Sequence, residues 1–271
     1  MTNTDYDFIR GFVKDEAAII IDPVKDYLLE FCLEPLAKDE GFASLRDLIT
    51  EIRFKPTEQL SAKIVDALTI NETFFFRDDK QYAFLKDELL TKIIKKNAHE
   101  KKLNIWCAAS SSGQEPYSVA MLLMEQVGAL NDWEVCFIAS DISDSMLAAA
   151  RVGMYTEAEV NRGLPLEYRD KYLEPVEGKW QVKQAIRDMV TYQKINLKND
   201  WILPKMDLVF MRNVLIYFNA ETKTDILNRV KRTLNSDGFL LLGGAETTLG
   251  LCDKFERLDI NGTSCYTPNL L

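Results

Sequence analysis

The sequence predicts an α/β fold: a mainly parallel sheet, interrupted by a small β insertion and preceded by an all-helical domain. Three observations carry this. The first ~90 residues show only helical periodicity. From about Lys102 onward, short apolar runs alternate with helical ones, the pattern of strands joined by right-handed crossovers. One stretch, Gly163 to Arg187, breaks that rhythm with two prolines, a turn-like "PVEGK" and an alternating "KWQVKQAI". The expected division is a helical domain and linker over 1–85 and an α/β domain over 86–271, with the β insertion at about 163–190.

The elements follow in chain order. In "DPVKDYLLEFCLEPLAKDEGF", Asp22 is placed to N-cap a helix with Pro23 at its first position. Val24, Tyr27, Leu28, Phe31 and Cys32 then recur at helical spacing and read as its apolar face. Ser44 and Thr57 are placed to cap two further helices, "FASLRDLITEIRF" and "PTEQLSAKIVDALTI". Beyond Lys102 come the strand "LNIWCA", the helix "EPYSVAMLLMEQV", the strand "EVCFIASD" and the helix "SDSMLAAARVG". After the β insertion follow "MVTYQKINL", "MDLVFMRNVL", the helix "ETKTDILNRVKRTL" and the strand "GFLLLGG". "FERLDI" and "SCYTPN" are placed to close the sheet as an antiparallel edge.

Composition narrows the chemistry. With 271 residues, 47% of them hydrophobic, the chain has ample material for a large core. No apolar run approaches the ~20 residues that span a bilayer, and "MTNTDYDFIRGF" lacks the basic and apolar regions of a signal peptide. A cytoplasmic protein without membrane insertion is expected. The formal charge of −9 argues against nucleic acid, whose binding rests on neutralised phosphates. The basic cluster "KIIKKNAHEKK" reads as a solvated helix end. The five cysteines form no CxxC pair, so reduced thiols are expected and no metal site. The single histidine, His99, lies in a charged stretch and reads as a solvated loop residue, which removes the Ser-His-Asp and multi-histidine chemistries.

The segment "NIWCAASSSGQEP" joins a strand to a helix through small residues, the layout that holds nucleotide-like ligands. It has one glycine rather than a dinucleotide fingerprint, and no Gly-Lys-Ser/Thr of a phosphate loop. Such a turn suits a ligand that approaches the backbone closely without phosphates. S-adenosylmethionine is one, and its sulfonium tolerates an acid such as Glu115. Asp141, ending "FIASD", either bonds ribose hydroxyls or N-caps the following helix, and the residues alone leave both open.

Four stretches in this order, "NETFFFR" (Asn71–Arg77), "CAASSSGQEPYSVAM", "ASDIS" and "FMRNVLIYF", resemble the chemoreceptor glutamate methyltransferases of the CheR family. The resemblance spans about residues 20 to 268. It implies a Rossmann-like S-adenosylmethionine-dependent methyltransferase domain, methyl transfer to glutamate side chains on the cytoplasmic helices of chemotaxis receptors, and S-adenosylhomocysteine as product. It places cofactor contacts at Asn71, Thr73, Arg77, Glu115, Asp141, Asn196, Leu197, Arg212 and Asn213, and a substrate-side pair at Arg77 and Tyr217. In some members of that family the β insertion tethers a receptor's C-terminal peptide. Nothing in the sequence suggests an obligate dimer, and a monomer is expected. The sequence departs from some members in its first-domain helix, which is mixed or acidic rather than markedly basic. Phe74, Phe75 and Phe76 read as packing between domains rather than as an adenine stack. A glutamate acceptor is ionised at neutral pH and needs no general base, consistent with a chain whose one histidine is badly placed.

Overall fold

In the computed structural model, which describes residues 1–126, 130–260 and 262–269, the strands form a seven-stranded sheet in the order β6-β2-β1-β7-β8-β10-β9. Its strands are β1 (Lys102–Ala108), β2 (Glu134–Asp141), β6 (Thr191–Lys194), β7 (Met206–Met211), β8 (Leu234–Leu242), β9 (Phe255–Ile260) and β10 (Thr263–Pro268). The first five named pair in parallel, and β9 and β10 form an antiparallel hairpin beside β8. The chain runs outward from β1 through β2 to β6, then returns to place β7 on the other side of β1. This reversal opens a crevice at the carboxyl ends of β1, β2 and β7, where α/β sheets receive ligands.

Period-2 alternation divides the sheet between two cores. Ile105 and Cys107 of β1 and Leu208 and Phe210 of β7 enter one apolar cluster. Trp106, Ala108, Val209 and Met211 enter the other. Trp106 is fully buried and donates its indole N–H to Ser140 Oγ at 2.9 Å, so its one polar group is satisfied. Crossovers are supplied by α7 (Gln114–Glu125), α8 (Asp144–Val152) and α12 (Ala220–Thr233).

The amino-terminal part carries its own core, built by α1 (Asn3–Ala17), α2 (Asp26–Asp39), α3 (Leu45–Phe54) and α4 (Glu58–Leu68). After a non-helical linker, α5 (Asp79–Phe84), a π turn (Leu85–Leu89) and α6 (Leu90–Lys96) follow, and their buried residues join the first cluster of the sheet. The expected caps are present: Asp22, Ser44 and Thr57 accept from Val24, Asp47 and Leu60 N–H respectively. One expectation is corrected. The buried row of α2 is Leu29, Leu33 and Ala37, while Val24, Tyr27 and Phe31 are 84%, 65% and 75% exposed. The helix carries two apolar rows, and the one with spacing 29-33-37 packs among Ile9, Val13, Leu48 and Ile64. Periodicity alone does not choose between such rows.

The β insertion starts earlier than expected. Its three-stranded sheet, in the order β3-β5-β4, begins at β3 (Met154–Tyr155) and continues with β4 (Leu173–Val176) and β5 (Lys179–Val182). Short helices α9 (Glu157–Asn161) and α10 (Leu166–Tyr172) lie between, and α11 (Gln184–Arg187) takes the second half of the expected strand "KWQVKQAI". Two residues are too short a strand for alternation to register. The "PVEGK" turn is a two-residue hairpin in which Glu177 and Gly178 both have positive φ, 49° and 77°.

The five cysteines are free thiols. His99 is exposed in the turn before β1, at the sheet edge opposite the crevice. The basic cluster beside it is tied down by ion pairs: Lys96 to Asp237 at 2.9 Å, Lys101 to Asp132, and Lys102 to Glu134 at 2.8 Å. Among the described residues no helix is long and apolar enough to cross a membrane.

Candidate active site

The crevice holds a cavity of about 580 Å³, and every site residue expected from the sequence lines it: Asn71, Thr73, Arg77, Glu115, Asp141, Asn196, Leu197, Arg212, Asn213 and Tyr217. Its other wall is the segment between α1 and α2, Ile19 to Asp22, with Leu28, Leu29 and Cys32 of α2. That second wall was not anticipated. No motif marks it, because it is an apolar connector whose role depends on what it lies against.

The loop after β1 is tightly wound. Ala109, Ser111 and Gly113 have φ of 54°, 49° and 96°. At Gly113 a Cβ would approach Tyr192 Oη to 2.9 Å and Ala150 Cβ to 3.0 Å, so both backbone and space demand glycine there. Ser111 N–H donates to Asp141 Oδ2 at 2.8 Å, and Ser111 Oγ donates to the Asn71 carbonyl at 2.8 Å. One residue thus ties the β1 loop to the end of β2 and to the linker. Ser110 Oγ is buried without a partner.

Of the two readings of Asp141, the N-cap falls away. Ser143 is the N-cap of α8, accepting from Met146 N–H, while Asp141 Oδ1 accepts from Ser143 N–H at 3.0 Å. Asp141 is therefore a buried carboxylate held by two backbone donors at the cavity wall. Burial raises its pKa, against the lowering effect of the Ser143 and Ser111 N–H groups.

Glu115 and Arg212 form a buried ion pair, Nη1 to Oε2 at 2.6 Å. The same guanidinium donates through Nη2 to Asp78 Oδ2 at 2.6 Å and to the Arg77 carbonyl at 2.7 Å. Burial pushes the Glu115 carboxyl up, with the Arg212 charge opposing. Arg212 itself is disfavoured by burial but held charged by Glu115. Its fork therefore joins α7, β7 and the linker, a geometry that lysine would not supply. The Asn196 amide is likewise engaged, donating to the Glu16 carbonyl at 2.8 Å and so anchoring the end of α1.

Arg77 lies half-buried over the Phe74 ring and donates to the Glu72 carbonyl at 3.2 Å. Phe75 and Phe76, expected to pack between domains, are buried in the core of the α/β part instead, and Phe74 lines the cavity. Tyr217 is half-buried and shares the cavity lining with Arg77; burial raises its pKa and the Arg77 charge opposes the rise. Its carbonyl accepts from Ile20 N–H at 2.9 Å, joining the two walls. Asn213 adopts φ 58°, and its N–H donates to Glu246 Oε2 at 2.7 Å. Glu246 was also not anticipated: "GGAETTLG" has no feature that marks its acid as buried.

Chemically, the cavity offers acids (Asp141, Glu115, with Glu72 and Asp22), apolar side chains (Ile142, Leu197, Val214), two arginines (Arg77, Arg212), one lysine (Lys25) and one phenol. That set fits an adenosyl group whose ribose meets Asp141 and whose cationic sulfur meets an acidic field. No lysine-bearing phosphate loop is present, and no histidine lines the cavity.

The chain matches the family model described as "CheR methyltransferase, SAM binding domain" over residues 71–263. It is 39% identical to the chemotaxis protein methyltransferase of Vibrio parahaemolyticus, across 98% of this chain and 97% of that protein. It is 40% identical to chemotaxis protein methyltransferase 1 of Pseudomonas aeruginosa, across 97% of each. The Borreliella burgdorferi chemotaxis protein methyltransferase is 34% identical, across 92% of this chain and 90% of that one.

Proposed function

From the premise that this chain belongs to the CheR methyltransferase family and is an S-adenosylmethionine-dependent methyltransferase, we propose that its acceptors are glutamate side chains on the cytoplasmic helices of chemotaxis receptors. One observation carries this reading. The cavity is rich in fixed charge yet holds no histidine, so it suits an acceptor that is already ionised.

Bound S-adenosylmethionine supplies a methyl group made electrophilic by its sulfonium. The chain's own residues then have separate tasks. Asp141, which lines the cavity and is held by two backbone donors, accepts from ribose hydroxyls. Asn71, Thr73, Leu197 and Asn213 wall the adenosyl group. Glu115 provides negative charge, and Arg212 and Asn196 keep the surrounding segments in place through the bonds described above. At the acceptor end, Tyr217 donates to the incoming carboxylate and Arg77 guides it.

Alignment is the main contribution, since a carboxylate acceptor that is already ionised needs no proton removed. Well-oriented reactants gain several kcal/mol, up to ~7–11 in ideal cases. Arg77 should not bind the carboxylate too strongly. The anion loses its charge as the methyl moves, so ground-state stabilisation would raise the barrier. Acceptor recognition is assigned to the rim, where Val24, Tyr27 and Phe31 expose an apolar row beside the cavity. β4 lies at the edge of the small sheet, the geometry by which an extended receptor tail adds a strand. The enzyme is read as a monomer, which sedimentation would check.

The test is incubation with labelled S-adenosylmethionine and receptor-containing membranes, with and without the receptor's C-terminal tail. Base-labile methyl esters are expected. Label found only in base-stable products would overturn the reading.

A further inference from the structure

Glu246 is a buried acid outside the set of expected site residues, 9% exposed, in the loop after β8. Its carboxylate accepts four backbone N–H groups. Oε2 takes Asn213 and Gly243, both at 2.7 Å, and Oε1 takes Val214 at 2.9 Å and Leu215 at 2.7 Å. Three successive amides of the loop after β7 thus converge on one anion, and Gly243 joins from the end of the neighbouring strand β8.

The surroundings are shaped for this contact. Asn213 adopts the left-handed conformation that turns its N–H inward. A Cβ on Gly243 would come within 2.8 Å of Glu246 Oε2 and 2.7 Å of Asn213 Nδ2, so only glycine admits the carboxylate. Directly after the anion begins the 3-10 turn Leu215–Tyr217, whose first N–H is one of the four donors. The final residue of that turn is Tyr217, and its carbonyl in turn receives Ile20 N–H.

We infer that Glu246 is a positioning residue for methyl transfer: its carboxylate sets the Asn213–Tyr217 loop and thereby the place of the Tyr217 phenol. The inference rests on the reading above that Tyr217 meets the acceptor. A backbone held by one anion keeps a single conformation, which a reaction dependent on alignment requires. A glutamine in its place would turn an NH₂ group toward two of the four N–H donors and release that half of the loop.

The test is a double-mutant cycle of Glu246→Gln and Tyr217→Phe, with kcat taken per site able to bind S-adenosylhomocysteine, counted by calorimetry. Glu246→Gln alone should lower kcat by roughly tenfold or more. On the Tyr217→Phe background it should cost less than about threefold, because groups acting as one unit are not additive. Equal losses on both backgrounds, or no loss at all, would overturn the inference. A merely structural role changes the fraction of active sites and leaves the cycle additive. Should Glu246→Gln not fold, Glu246→Asp keeps the charge but shortens the reach, and the same cycle decides. Wild-type enzyme run in parallel reports on the acceptor reading separately: base-stable label there would sink that reading, while the cycle still judges Glu246.

Discussion

The two walls of the cavity are built on opposite principles. The wall formed by the carboxyl ends of the strands is charged and buried: Asp141 and the Glu115–Arg212 pair each meet two or more partners inside the protein, and Glu246 braces the loop behind Asn213. The helical wall is apolar and partly exposed, with Ile19 to Ile21 and Leu28 facing the cavity and Val24, Tyr27 and Phe31 continuing outward. A buried charge without partners costs several kcal/mol, so the charged wall must be rigid. An apolar surface pays no such penalty for small adjustments. Under the proposed function, chemistry falls to the first wall and recognition of the acceptor to the second.

The comparison breaks most sharply at Arg212. Arg212→Met leaves Glu115 buried without its cation and should cost about 3–5 kcal/mol, read as a lower Tm and a shifted denaturation midpoint. A variant as stable as wild type would show that the sheet wall does not depend on this pair. Tyr217→Phe should lower kcat by about 10²-fold, the cost of losing the group that aligns the acceptor with the methyl carbon. Calorimetry should find S-adenosylhomocysteine affinity little changed.

Asp141→Asn should weaken S-adenosylhomocysteine binding by roughly 1.5–3 kcal/mol, the worth of a hydrogen bond to a charged group. It should also remove a pH dependence. Burial raises the Asp141 carboxyl, so wild-type affinity should begin to fall at a pH above the ordinary carboxylate range as the solution is acidified. The sign for stability is opposite. A raised carboxyl holds its proton more tightly in the folded state, so its contribution to stability is full below the unfolded value and is lost as pH rises through the folded one. Glu115, raised for the same reason, adds to that trend. Titrations of affinity and of Tm against pH, with and without Asp141→Asn, separate the two effects.

The smallest change tests the helical wall. Replacing Tyr27 and Phe31 with serine should leave stability within ~0.5 kcal/mol, as for other exposed positions, while raising the KM for receptor severalfold. An unchanged KM would move acceptor recognition elsewhere.

Local chemistry made much of this legible in advance. Caps at Asp22, Ser44 and Thr57 satisfy N–H groups two or three residues away, so they can be read from neighbours in the chain. The alternation of strands and helices beyond Lys102 follows from side-chain periodicity, again a local property. The candidate site residues came from the four separated motifs and from Asn196 and Leu197 of "YQKINLKND", and the fold brings them to one cavity. What a partner far along the chain decides was not legible. The buried row of α2 was misassigned because two rows fit the helix and only packing against α1, α3 and α4 selects one. β3 escaped because two residues cannot display an alternation.

By itself, then, the amino-acid order determined which segments coil, which extend, and which few polar residues stand at the ends of central strands. Tertiary structure alone decided that Glu246 would be held by amides more than thirty residues away, that Arg212 would clasp Glu115 and Asp78 together, and that the connector after α1 would close the cavity. The physical reason is range. Hydrogen bonding within a turn and periodic burial act between near neighbours, whereas the pairing of a buried charge depends on whatever the completed fold sets beside it.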